Sequence, residues 1–154
     1  MIYGDSFSFA LQFDVVEIWS SPNNIWKNGL FFFYLDGIKL FDSVDIVELK
    51  TTMSFYSHMR IDELASNDIN IDSIGLYRNA ESYFTDDGEV LIDGLFDMTC
   101  TAMEDNGCYV YFIKSTCNDR FIWSKDNGET VHETLLQPGI VASVIDQLSD
   151  DDLN

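Results

Sequence analysis

The stretch WKNGLFFFYLDGIKLF, Trp26 to Phe41, packs five aromatics into its first nine residues and shows almost no polar/apolar alternation before Asp36-Gly37. A run apolar on both faces reads as a strand inside a sheet with something packed on each side. Asp36-Gly37 is a two-residue hairpin signal that returns the chain through Ile38-Lys39-Leu40-Phe41. Upstream, Phe7, Phe9, Leu11, Phe13 and Val15 alternate with Ser8, Ala10, Gln12 and Asp14, the period-two pattern of a strand with one buried face. Ser20-Ser21-Pro22-Asn23-Asn24 is a turn cluster between the two.

Downstream the reading is mixed. Leu49, Met53, Tyr56 and Arg60 keep helical spacing, so a helix is expected over about 45–64, capped by Asp42 or Ser43. Residues 67–72 read as a polar loop, 74–77 as a short strand and Asp86-Asp87-Gly88 as a turn. Residues 95–103 read as a strand, Glu104-Asp105-Asn106-Gly107 as a tight connection and 108–113 as the returning strand. That register sets Met103 against Cys108 and Cys100 against Tyr111. Two more strands follow, 120–124 and 130–136, each after a turn. Pro138 opens a last helix whose Ile140, Val141, Val144, Ile145 and Leu148 form one stripe, and residues 150–154 read as a frayed acidic tail. The fold expected is α+β: one domain over residues 1–154, mostly an antiparallel sheet of about six or seven strands, with two helices.

The outside of this apolar chain is strongly acidic. Eight Lys and Arg stand against 27 Asp and Glu, a formal net charge of -19. Residues 81–154 carry 16 acids and three bases, and Asn79 to Ile113 contains no Lys or Arg. Nucleic acid and anionic membrane are disfavoured as direct partners, because both would be repelled. A basic protein is the natural complement, and solubility alone is the competing reading. Asp86, Asp87, Glu89, Asp93, Glu104 and Asp105 lie in or beside turns of the base-free stretch and are the candidate partner-binding residues.

Parts for other chemistry are scarce. His58 and His132 belong to no metal or nucleophile motif, and the nine glycines form no phosphate loop. A calcium loop fails on spacing: Gly88, Gly107 and Gly128 place Tyr83, Ala102 and Trp123 at its first ligand position. Paired carboxylates carry no signal among 27 acids. No catalytic residue, metal or cofactor is therefore expected. No stretch approaches the length of a membrane span and the N-terminus lacks the pattern of a secretory signal, so the expected location is the cytoplasm. In that compartment Cys100, Cys108 and Cys117 are expected as free thiols.

Gly4-Asp5, Phe9-Ala10, Phe13 and Trp19, followed by Trp26, Gly29 and the Phe-rich strand closing at Asp36-Gly37, resemble the immunity protein 42 family. Leu136-Gln137-Pro138-Gly139 before an apolar helix is similar too. The resemblance covers about the first 40 residues and, more loosely, the last 20. It implies a bacterial protein of polymorphic and contact-dependent inhibition systems that binds and neutralises one cognate toxin domain. Many such toxins are nucleases with basic clefts, and an acidic inhibitor would cover such a cleft and associate fast. Two alternatives differ in kind. An acidic nucleic-acid mimic would bind several basic proteins, and a small ligand-binding protein or hydrolase would show an aromatic pocket with convergent polar groups.

Overall fold

The computed structural model describes residues 1–23, 25–64, 68, 70–85 and 90–154. Among them nine strands form two antiparallel sheets. The first takes β1 (Ile2–Gly4), β2 (Phe9–Val15), β3 (Asn28–Leu35) and β4 (Ile38–Asp42) in that order, with β5 (Val47–Glu48) also paired to β3. The second is β6 (Leu95–Asp97), β7 (Tyr109–Lys114), β8 (Asp119–Ser124) and β9 (His132–Leu136), again in chain order. Four α-helices accompany them: α1 (Leu49–Ser57), α2 (Ser73–Phe84), α3 (Thr101–Glu104) and α4 (Ile140–Ile145). The class is α+β as expected, but the strands divide between two sheets and the helices are four.

The β3–β4 hairpin is the one anticipated. Asp36 and Gly37 both take positive φ, 52° and 79°, as a two-residue hairpin turn requires. β3 is interior to its sheet. Its burial nevertheless alternates: Gly29, Phe31, Phe33 and Leu35 are buried, while Leu30, Phe32 and Tyr34 are half-buried. The second face stays half open. Lys39 lays its ammonium over the Phe32 ring at 4.8 Å, and Tyr34 donates its hydroxyl to Gln12 Oε1 at 2.9 Å. Amphipathic side chains thus do the covering.

The buried side of β3 faces the second sheet. Phe121 of β8 lies 5.6 Å from Phe9 and 6.4 Å from Phe33, ring centre to ring centre, joining both sheets in one core. The opposite face of the second sheet is covered by α2, whose Leu76, Tyr77 and Ala80 pack with Leu95, Tyr111, Ile113 and Ile122. The doubly covered strands are therefore β7 and β8.

Several local expectations are corrected. The helix expected over 45–64 breaks into β5, α1 and a 3-10 turn at Ile61–Glu63. Asn28 and Gly29 of β3 pair with Glu48 and Val47, which holds those residues extended, and Glu48 rather than Asp42 or Ser43 caps the helix. Residues 74–77 are helix, not strand: Asp72 caps the Gly75 N–H at 2.7 Å and starts α2. The strand expected over 95–103 stops at Asp97. There Thr99 turns its hydroxyl into the ladder, accepting from Val110 N at 2.9 Å and donating to Val110 O at 3.2 Å, and the chain then winds into α3. Tyr111 consequently faces Asp97, not Cys100. The last helix starts at Ile140, not Pro138. Asp119, 1% exposed, accepts the Val141 N–H at 2.9 Å and so seats that end of α4 on β8. The tail is not frayed: Asp150–Leu153 form a 3-10 turn, Leu153 is buried, and Tyr3 donates to Asp152 Oδ2 at 2.6 Å.

Cys100 and Cys108 are buried free thiols and Cys117 is an exposed one. Burial pushes the Cys108 thiol up to about 12. Among the described residues no helix is long and apolar enough to cross a membrane. The turn at 86–88 and parts of the 67–72 loop lie outside the described residues.

Candidate functional site

An open groove of about 620 Å³ runs between two walls. One wall is the Ser43–Val47 segment and the exposed side of α1, with Glu48, Thr51, Thr52 and Phe55. The other is the chain from Thr99 to Asn106, including α3. Trp26, just before β3, also lines it. The walls are fixed from beneath. Tyr56, fully buried next to Phe55 in α1, donates its hydroxyl to the Met98 carbonyl at 2.9 Å. That bond and the surrounding core set the spacing between α1 and the 98–106 segment.

The groove is apolar inside and acidic at its edges. Trp26 is 57% exposed, Val44 76%, Ile46 57% and Phe55 38%. Large apolar side chains this open on neighbouring segments mark a surface that a partner can cover. Among the described residues the carboxylates lining it are Asp45, Glu48, Glu104 and Asp105, and the lining holds no Lys or Arg. Burial works against charge on Glu48, but the Thr51, Lys50 and Lys27 donors outweigh it, so its carboxyl lies below the usual range. Glu48 is thus committed to the helix start, with Thr51 N at 2.6 Å. Asp45, Glu104 and Asp105 are exposed at the edge.

Of the six acids singled out in the sequence, the structure brings Glu104 and Asp105 together at the C-terminal end of α3, on the groove wall. Asp93 is exposed in the turn before β6 and does not line the groove. Asp86, Asp87 and Glu89 lie outside the described residues. The sequence reading missed the apolar half of the site. In the sequence Trp26 reads as part of the strand it precedes and Phe55 as part of the helix expected over 45–64. The legible signal was Val44-Asp45-Ile46: two large apolar residues flanking an acid, with no partner stripe on either side.

Both histidines make local contacts at the surface. His58 ends α1, with Nδ1 2.7 Å from the Ser54 carbonyl, and His132 stacks on Trp123 at 4.3 Å. Among the described residues no group of three or more His, Cys, Asp and Glu is arranged to hold a metal ion.

A family model described as immunity protein 42 matches residues 1–151. Among solved structures, the chain is similar to the crystal structure of CdiI from Burkholderia dolosa AUO158, with a TM-score of 0.70 and 20% identity, over 94% of this chain and 96% of that one. At that identity the likeness shows a shared fold. No curated protein matches the chain. The match over 1–151 places the family beyond the N-terminal motifs alone: the chain belongs to the immunity protein 42 family.

Proposed function

We propose that this member of the immunity protein 42 family is a cytoplasmic antitoxin of a contact-dependent growth inhibition or related toxin system, acting as a single domain without catalytic activity. It binds one cognate toxin domain, a basic nuclease, and covers the cleft that the nuclease needs for its substrate. The observation that carries this reading is the groove: Trp26 and Phe55 open to solvent, with Asp45, Glu104 and Asp105 at the edge and no base in the lining. Aromatic anchors with a charged rim are the composition of a protein-binding surface. Carboxylates on such a rim compete with substrate phosphates and speed encounter with a basic partner. Asp93 extends the proposed acidic surface, and Asp86, Asp87 and Glu89 belong to it on charge.

The test is binding of the toxin domain encoded beside this chain, at low and moderate salt. Trp26→Ala should weaken the complex by about 2 kcal/mol or more. Asp45→Lys, Asp93→Lys, Glu104→Lys and Asp105→Lys should slow association and flatten its salt dependence. Glu to Lys or Asp to Lys at positions 86, 87 and 89 completes the scan. If every variant binds as the parent does, the interface lies elsewhere. Tight binding to many unrelated basic proteins would favour a nucleic-acid mimic instead.

A further inference from the structure

Beside the groove, on the far side of Glu104 and Thr99, a second cavity of about 430 Å³ opens between α2 and the second sheet. Its walls include four aromatic residues, Tyr77 and Phe84 of α2 and Tyr109 and Tyr111 of β7. Phe84 and Tyr111 stack at 5.9 Å with their planes 5° apart, and Tyr77 meets Tyr111 edge-on at 5.3 Å, so the walls brace one another. Among the described residues three carboxylates share the cavity: Glu81 from α2, Asp97 from β6 and Glu104 from α3. Among the described residues its lining contains no Lys or Arg.

The charges are poorly compensated from within the described residues. Asp97 accepts the Thr99 N–H at 2.9 Å, yet burial, with Glu104 as a like charge nearby, holds its carboxyl above the usual range. After burial, the carboxylates of Glu104, Glu81, Asp97 and Asp105 all push the Tyr109 hydroxyl upward, so four acids act on one point. Arg78 lies over the ring of Tyr77, one of the cavity walls, at 5.5 Å. It pairs with Glu81 at 3.2 Å and donates to the Gly128 carbonyl at 2.8 Å, which turns it toward the β8–β9 turn. Asp97 and Glu104 are left without a described basic partner. An aromatic-walled cavity with half-buried negative charge has the chemistry that receives a cation: ring faces and phenol oxygens for its body, carboxylates for its charge.

We infer that this cavity receives a basic side chain of the toxin, arginine in preference to lysine, while the neighbouring groove holds the apolar part of the same surface. Arginine fits better because its flat, weakly hydrated guanidinium stacks on rings and offers five donors to carboxylates set at different angles. The inference rests on the toxin-binding reading above and makes the cavity its specificity pocket. A toxin without a matching cation would cover Asp97 and Glu104 with no counter-charge and be rejected.

The experiment uses the full chain and the adjacent-gene toxin domain. Asp97→Asn and Glu104→Gln keep shape and remove charge, and each should weaken toxin binding at least roughly thirtyfold, while Asp146→Asn, just after α4, should bind as the parent does. Melting of the Asp97→Asn protein at or above the parent temperature separates lost binding from lost folding. Each toxin arginine and lysine is then changed to Met. One of these changes should make the two carboxylate variants silent, since a pair already broken cannot be broken again. If the parent fails to bind the toxin, the toxin-binding reading itself is wrong. If the parent binds and the two variants bind equally well, or their losses add to every toxin substitution, the cavity assignment is wrong. Acetyl-arginine amide, titrated while the Tyr109 and Tyr111 ring resonances are followed, gives a further arm. Saturable binding of it with no coupled toxin residue would reassign the cavity to a free small cation and overturn the proposal.

Discussion

β3 and β7 are near twins in composition and opposite in surroundings. Both are interior strands, and both read as unbroken apolar runs, Leu30-Phe31-Phe32-Phe33-Tyr34-Leu35 and Tyr109-Val110-Tyr111-Phe112-Ile113. In β7 the four residues Val110 to Ile113 are all buried, because α2 closes the face turned away from the first sheet. In β3 every second side chain stays half open, with Lys39 over the Phe32 ring and Gln12 accepting from the Tyr34 hydroxyl. An apolar run therefore tells that a strand is interior to a sheet; it does not tell how many layers cover it. That depends on where a helix elsewhere in the chain comes to rest.

Breaking the shared core gives the largest expected effect. Phe121 touches Phe9, Phe33 and Phe112, so Phe121→Ala should cost about 3–5 kcal/mol in denaturant unfolding. A loss near 1 kcal/mol would mean that the sheets do not share a core. Next is the helix that makes β7 differ from β3. Leu76→Ala should cost about 3 kcal/mol, because it opens a cavity above Tyr111 and Ile122. The mirror change on the open face, Phe32→Ala, should cost only about 1 kcal/mol, since the ring is already half in water. Equal costs for Leu76 and Phe32 would erase the contrast between the two sheets.

The smallest effects are in charge, and they have opposite signs. Asp126 accepts the Thr130 N–H and the Ser124 hydroxyl, which lowers its carboxyl from 3.8 to about 2. Its folded value is depressed, so its contribution is present above about 4 and fades as pH falls toward 2. Asp126→Asn should remove that part of the acid sensitivity in melting curves taken across the window. Asp97 is raised by burial, so its ionisation opposes folding at neutral pH. Asp97→Asn should melt at or above the parent temperature at pH 7, and a clear drop would mean that its charge is compensated inside the fold.

How much of this was legible in the sequence follows from how local each cause is. The hairpin at Asp36-Gly37 and the strands 9–15, 109–114 and 119–124 follow from turn chemistry and periodicity within a few residues. The family resemblance rested on the same N-terminal stretch. α2 was missed because its start depends on one cap, Asp72 to Gly75, in a segment whose short apolar run Ile74 to Tyr77 also suits a strand. The strand over 95–103 was drawn too long because the Thr99 hydroxyl stands in for a backbone partner, which composition does not reveal. Of the site, the acidic wall at Glu104 and Asp105 was visible as charge. The apolar wall was not, because Trp26 and Phe55 look like core residues until neighbouring segments fail to cover them.

The order of strands in the two sheets also bears on time. Apart from β5, which pairs back to β3, the strands of each sheet lie in chain order, so most neighbouring strands are also neighbours in the chain. Closing short loops is fast, and either sheet can begin to pair without the other. The non-local step is the meeting of Phe9 and Phe33 with Phe121, across most of the chain. Folding of this protein should thus be paced by the docking of two preformed halves. Until they dock, each half displays to the cell an aromatic face that the native molecule hides.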